Sequence, residues 1–424
     1  MELLQQVRII DPVLTTDRRA DVLIVDGTIA RVDARLTDYP AEAVVIPASG
    51  LILGSGLVDL YSHSGEPGHE ARETLADLAR AAAGGGFTQV GILPDTVPAL
   101  DSLEVIQALK QKSNCLPATE EQQFDLPQLN FWGAAWNETS GMMNGIGELQ
   151  AETVGMVGNY HLGNLPLLKQ ILEYAQPWQK PIAIALQPQA LNRGVVREGE
   201  VSLRYGMAGT PGFTEAAAIA AILEIVREIP QPIHLMRVST KRGVELIADA
   251  KERGLNLTAS TTWMHLLWSN QATESYSPNL RLEPPLGNAT DCQALIEGVR
   301  RGIIDAIAID HQAYTYEEKT VAFALAPPGV IGLELALPLL WQRFVATGEW
   351  TALELWQALS TRPRQCWHQK TQAIAPEQPA DLVLYDPEHK WTCDRYSLES
   401  PAANTPWYGR EITGKVMRTY SVNS

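Results

Sequence analysis

Hydrophobic and polar positions change rhythm twice along the chain. Asp21-Val22-Leu23-Ile24-Val25 is a short apolar run that ends at Asp26-Gly27, and Ile29-Ala30-Arg31-Val32 returns after it. Two residues of Asp-Gly type between such runs predict a β-hairpin. Asp11-Pro12 and Pro47 punctuate the remainder of the first 50 residues, which read as short strands. Ala380-Asp381-Leu382-Val383-Leu384-Tyr385 and Gly414-Lys415-Val416-Met417-Arg418-Thr419-Tyr420 repeat the strand pattern at the other end. The two ends are expected to pair into one small β-domain around a central insert.

In the middle, short apolar runs alternate with helical stretches. Gly56 to Leu60 reads as a strand, and Glu73 to Ala83 as a helix stopped by Gly84-Gly85-Gly86. Further strands are expected at Phe87–Leu93, Pro181–Ala185, Pro232–Met236, Leu255–Ala259 and Ala306–Asp310, with amphipathic helices at Glu215–Glu228 and Lys241–Arg253. Strand–helix alternation over about 300 residues points to a parallel α/β fold, and a (β/α)8 TIM barrel suits that length. The expected division is a barrel over residues 51–369 and a β-sandwich-like domain from residues 1–50 and 370–424. In such barrels chemistry collects where strands end, and here His63 and Asp310 stand at those ends.

Composition narrows the partners. The 424 residues carry 33 Lys+Arg against 49 Asp+Glu, a formal charge of −16. Nucleic acid and anionic membranes reward basic clusters, so neither is an expected partner. The start lacks a signal-peptide apolar region and no run approaches a membrane span, so a cytoplasmic location is expected. Cys115, Cys292, Cys366 and Cys393 show no paired spacing of a zinc knuckle or disulfide framework.

Ordered motifs along nearly the whole chain resemble those of the class I dihydroorotases of the amidohydrolase superfamily. They include Gly56-Leu57-Val58-Asp59-Leu60, Glu66-Pro67-Gly68 and Glu73-Thr74, then Ala82-Ala83-Gly84-Gly85-Gly86-Phe87-Thr88 and Leu93-Pro94-Asp95-Thr96. Glu198-Gly199-Glu200, Val238-Ser239-Thr240, Pro284-Pro285-Leu286, Gly332-Leu333-Glu334 and Asn404-Thr405-Pro406 continue the match. The resemblance implies an amidohydrolase-type (β/α)8 barrel, zinc at its mouth, and interconversion of carbamoyl aspartate and dihydroorotate in pyrimidine synthesis.

The departures fall on the family's chemistry. Its His-x-His zinc pair is represented by Tyr61 and His63, and the substrate-clamping arginine that follows by Gly65. The acidic ligand falls near Val157-Gly158-Asn159, and another ligand histidine aligns with Ala185. Of two histidines in a later strand, His234 is kept and the zinc ligand is Arg237. The general-base aspartate survives as Asp310, followed by His311, while a later histidine is Tyr314. Substrate-side asparagines are Asp95 and Glu283.

Catalytic zinc needs about three protein ligands and a water. The two remnants, His63 and Asp310, fall short, so no cofactor is expected. A guanidinium roughly 5 Å from a divalent ion is repelled by about 6–7 kcal/mol even at an effective dielectric of ~20. Arg237 is expected instead to pair with Asp310, leaving the latter a vestigial base. The expected function is therefore that of an inactive dihydroorotase-like protein. By analogy with a silent member of the family it would partner aspartate carbamoyltransferase, and it is also expected to self-associate. The alternative is an active zinc-dependent dihydroorotase or related cyclic amidohydrolase with an altered site.

The remaining candidates read as structural. His234 and His265 are expected on strands as core histidines, His69 as a helix cap, and His161 in a loop. Trp132, Trp136, Trp263 and Trp268 read as packing, or as an interface if exposed together. The Gln- and Glu-rich stretch Leu116 to Leu129 reads as a solvated loop and secondarily as a contact loop.

Overall fold

Small and large apolar residues alternate between two environments in the centre of the molecule, and that alternation shapes a closed barrel. The computed structural model describes residues 1–116, 124–137, 140–159, 165–186 and 194–421. Eight parallel strands pair in chain order: β1 (Leu57–Ser62), β2 (Phe87–Ile92), β3 (Gln128–Ala134), β4 (Gly155–Asn159), β5 (Ile182–Ala185), β6 (Ile233–Met236), β7 (Leu257–Thr262) and β8 (Ala306–Ala308). On β5, Ile182 and Ile184 join the apolar layer beneath the outer helices. Ala183 and Ala185 point the other way, into an interior cluster with Val58, Leu60, Trp132 and Met236. The bulk of Trp132 fills the space that the alanines leave, and its indole N–H donates to Leu60 O at 2.8 Å.

The seam between β8 and β1 is closed by few groups. Asp310 N donates to Tyr61 O at 3.1 Å and His63 N to His311 O at 2.8 Å. Asp59, wholly buried, accepts from Ile309 N at 2.8 Å and from Ser62 Oγ at 2.5 Å. Ser62 Oγ in turn accepts from His311 N at 3.0 Å. Burial pushes the Asp59 carboxyl up to about 7, against the opposing effect of these hydrogen bonds.

The helix expected over Glu73–Ala83 spans Leu75–Gly84, because Thr74 and Asp77 form a capping box at its start. At its end Gly86 takes φ +85°, and a Cβ on Gly85 would lie 2.1 Å from Leu333 O. The helices expected at Glu215–Glu228 and Lys241–Arg253 are found at Phe213–Glu228 and Lys241–Glu252.

Both chain ends enter one sheet, with strand order Glu411–Tyr420, Leu382–Thr392, Ile52–Ser55, Glu2–Asp11, Thr16–Val25, Thr28–Asp33, and Val44–Pro47 also paired to Glu2–Asp11. The hairpin turn has Asp26 at φ 47° and Gly27 at φ 70°, the left-handed pair that a two-residue link requires. Leu4, Val22, Leu53, Leu382 and Leu384 share the apolar face of this sheet. The sheet takes in Ile52–Ser55, beyond residue 50, and that strand leads through Gly56 into β1. The sheet and barrel are therefore covalently continuous through Gly56, at the start of β1.

Several sequence expectations need correction. The strands β3 and β4 were not anticipated: polar Gln128 and Asn130 mask one, and two glycines in five residues mask the other. The end of the Leu116–Leu129 stretch is thus a barrel strand, and residues 117–123 lie outside the described residues, as does His161. His265 sits in a short helix, Trp263–Leu267, rather than on a strand. His69 lies in the turn before Thr74, which is the actual cap. Trp132, Trp136 and Trp263 are buried, with Trp263 stacked on Trp407 at 5.2 Å, so they form no exposed patch. Among the described residues no helix is long and apolar enough to cross a membrane.

Because Asp59 joins the two edges of the barrel, Asp59→Ala leaves the buried Ile309 N–H without its acceptor. The expected loss is about 2–4 kcal/mol of unfolding free energy, with Asp59→Asn milder because its amide oxygen still accepts. Urea denaturation followed by far-UV circular dichroism checks the order of the three proteins.

Candidate functional site

At the open ends of the strands lies a cavity of ≈ 490 Å³, with Ala185, Met236 and Val157 among its lining. Arg237 follows β6 and Asp310 follows β8. Both leave their strands in left-handed conformations, φ 55° and 53° respectively. Such backbone costs about 1–3 kcal/mol per residue and persists only where the surroundings over-determine it. Here the determining contact is bidentate: Arg237 Nε donates to Asp310 Oδ2 at 2.8 Å and Nη2 to Asp310 Oδ1 at 2.6 Å. The side chains are 10% and 16% exposed, so the pair is largely desolvated.

His63, at the end of β1, completes a chain of charges. Its Nδ1 donates to Asp95 Oδ2 at 2.5 Å, while Nε2 lies 3.3 Å from Asp310 Oδ1 and 3.0 Å from Arg237 Nη2. Burial lowers the His63 pKa, but Asp95 and Asp310 outweigh it and raise the imidazole to about 9. Burial likewise opposes ionisation of Asp310, and Arg237 with the His63 hydrogen bond holds it well below the ordinary carboxylate range.

Beneath Arg237 a line of hydrogen bonds runs in one direction. Arg237 N donates to Tyr61 OH at 3.1 Å, leaving the phenol to donate to Ser260 Oγ at 2.9 Å. Ser260 then donates to His234 Nε2 at 2.8 Å, and His234 Nδ1 to Thr258 Oγ1 at 2.8 Å. Burial, aided by Lys251, drives His234 down to about 3, consistent with a neutral ring in this line. His265 is neutral for the same reason, lowered to about 4 by burial; it accepts from Thr262 and donates to Pro284 O. Tyr61 and Ser260 lie one residue beyond the strands expected from the sequence, and their contact with His234 is set by the barrel.

The structure brings His63, Asp95, Ala185, Arg237, Glu283 and Asp310 together on the cavity wall. Glu283 is 3.4 Å from Arg281. Tyr314, expected at the substrate side, does not line the cavity. Its ring is taken up by Arg72 at 4.8 Å and Lys319 at 5.0 Å, and its hydroxyl donates to Pro328 O at 3.0 Å. No side chain fits where the family's clamping arginine stands, since a Cβ on Gly65 would lie 2.4 Å from Glu73 O. His311 is a second buried histidine the motifs left unassigned. It donates from Nε2 to Glu73 Oε2 at 3.1 Å, and Glu73 accepts from Ser400 Oγ at 2.5 Å, tying β8 to the C-terminal segment.

Zinc does not fit this donor set. His63 Nε2 and both oxygens of Asp310 face the Arg237 guanidinium, Tyr61 OH is committed to Ser260, and Ala185 offers no donor. Among the described residues no group of three or more His, Cys, Asp or Glu side chains is arranged to hold a metal ion.

An eight-stranded parallel barrel, a sheet built from both termini, and a cavity at the strand ends make up an amidohydrolase-type fold. L-Hydantoinase (dihydropyrimidinase) from Arthrobacter aurescens superimposes with TM-score 0.84 over 99% of this chain and 96% of its own, at 20% identity. The dihydro-orotase-like family profile matches residues 50–119. A dihydroorotase-like protein of Synechocystis sp. is 43% identical over 97% of this chain and 98% of its own length. The dihydroorotase of Pelotomaculum thermopropionicum is 34% identical over 96% of this chain and 93% of its own. The chain belongs to the dihydroorotase-like family.

Removing one partner of the buried pair strands the other charge. Arg237→Met is expected to cost about 3–5 kcal/mol, and Arg237→Met with Asp310→Leu to recover most of it; a double-mutant cycle in urea measures the difference. A histidine raised from 6.5 to about 9 contributes stability that is complete below pH 6.5 and lost as pH rises through 9. The melting temperature is therefore expected to fall between those values, and His63→Gln to flatten that slope.

Proposed function

We propose that this chain is a non-catalytic member of its family that serves pyrimidine biosynthesis as a structural partner of aspartate carbamoyltransferase. The observation that carries the reading is the Arg237 guanidinium bonded to Asp310 and set beside His63, where metal-bound water would be generated. Metal-assisted amide chemistry at neutral pH needs a Lewis acid and an activated water. A fixed cation in that place supplies neither, because a guanidinium has no open coordination position. Binding is weakened as well: Gly65 removes the carboxylate clamp, and Asp95 and Glu283 present negative charge to a dianionic substrate.

A family fold that keeps its turns, caps and strand cores without a competent centre acts through its surface. The β-domain, the barrel helices and the seam are all intact here, so selection for folding is expected to act on what docks there. Self-association belongs to the same reading.

The rival reading is an active dihydroorotase or a related cyclic amidohydrolase with an altered site, favoured by the 34% identity to a protein named dihydroorotase. Two measurements on one preparation separate them. The full chain, incubated with excess zinc and then dialysed, is expected to retain no stoichiometric metal and to show no turnover of carbamoyl aspartate or dihydroorotate above background. Ala185→His alone is expected to stay inactive, since ligands act as a unit. Co-elution with aspartate carbamoyltransferase on size exclusion at micromolar concentration is the expected positive result. Retained zinc with turnover at ordinary enzyme rates establishes the rival, and separate elution defeats the partnership.

A further inference from the structure

The cavity is retained although the chemistry that shaped it is not, and its charge no longer suits the family's substrate. At ≈ 490 Å³ it is of the size that encloses small ligands. Trp136, Met236, Met264 and Leu282 give it an apolar body. Four carboxylates line it (Asp95, Asp101, Glu283 and Asp310), against two cationic side chains, Arg237 and His63. Matching them in space is direct. Arg237 takes Asp310, His63 takes Asp95, and Glu283 lies beside Arg281 behind the wall. Asp101 is left over: its side chain makes no hydrogen bond or ion pair among the described residues.

We infer that the cavity is a binding site for a small organic cation, a protonated amine or amidine carried on an apolar or aromatic body. The cationic head would sit against Asp101, and Asp95 stands on the same wall with its side chain 49% exposed. The body would cover the alanine and methionine floor. A cation there meets one uncompensated carboxylate and closes the charge balance. An anion meets the same uncompensated carboxylate, with Arg237 and His63 already bonded. The inference rests on the metal-free reading above, because divalent ions at the strand ends would reverse the charge of the floor.

The test uses the full chain, assayed for metal, with benzamidine and phenethylamine as cationic probes and carbamoyl aspartate as the anionic one. Isothermal titration calorimetry is expected to show saturable one-to-one binding of at least one cationic probe and none of carbamoyl aspartate. Asp101→Asn is expected to weaken the cationic probe at least tenfold while the near-UV circular dichroism stays unchanged. Absence of binding by both cations to folded, metal-free wild type overturns the inference and leaves the non-catalytic reading standing. Equal affinity in Asp101→Asn also overturns it, by placing the probe elsewhere. Stoichiometric metal together with carbamoyl aspartate binding sinks both readings at once.

Discussion

A guanidinium buried at the mouth of a barrel needs a carboxylate in reach, and the architecture of the strand ends follows from that requirement. Arg237 and Asp310 come from strands that are not neighbours, β6 and β8, and each turns through a left-handed residue to meet the other. Desolvating two charges is expensive, and only bidentate geometry with further hydrogen bonds offsets it. His63 and Tyr61 provide those bonds, from the end of β1, one from the imidazole to the Asp310 carboxylate and one accepted by the phenol from the Arg237 backbone N–H. Three strand ends are thereby locked together by side chains.

That lock sits beside the one place where the barrel is closed by isolated contacts instead of a regular ladder. Asp59, Ser62 and His311 stitch β8 to β1, and the Asp310 and His63 backbones take part in the same seam. The charged cluster and the seam thus share residues, so loss of the ion pair is felt in barrel closure. On the far side, His311 passes through Glu73 to Ser400, while Ile52–Ser55 joins the terminal sheet directly to β1. The β-domain formed by the two termini therefore braces the strand on which the cluster is built.

In the dihydroorotase-like family setting, the proposed non-catalytic role assigns the buried pair to the fold rather than to a reaction. Cationic charge that would be exchangeable as a metal is here covalent and permanent. A permanent cation stabilises the fold and cannot generate a nucleophile. It also changes which ligands the cavity tolerates, since its charge is spent internally and Asp101 is not.

Much was legible in one dimension. The Asp-Gly hairpin, the capped helix before Gly84-Gly85-Gly86 and the short runs at Ile182, Ile233 and Ala306 carry their own local signals, because turns, caps and period-two alternation depend on neighbours in sequence. The strands Gln128–Ala134 and Gly155–Asn159 escaped because glycine and polar residues blur alternation where packing alone decides. Motif order identified the positions Tyr61, His63, Asp95, Ala185, Arg237, Glu283 and Asp310, and residue type alone showed that Tyr61, Ala185 and Arg237 stand where the resemblance implies zinc ligands. What the chain could not state in sequence was distance. Tyr314, expected at the substrate side, has its ring against Arg72 and Lys319, the latter in the helix Tyr316–Lys319 that follows it. The line from Arg237 through Tyr61 and Ser260 to His234 joins three strands, and Asp101 stands out only once the other carboxylates of the cavity are matched with their partners among the described residues. Residue identity determines which groups are able to ionise or ligate. Which charges cancel is settled by barrel closure, because electrostatic balance depends on separation in space and on burial, and only the fold sets those.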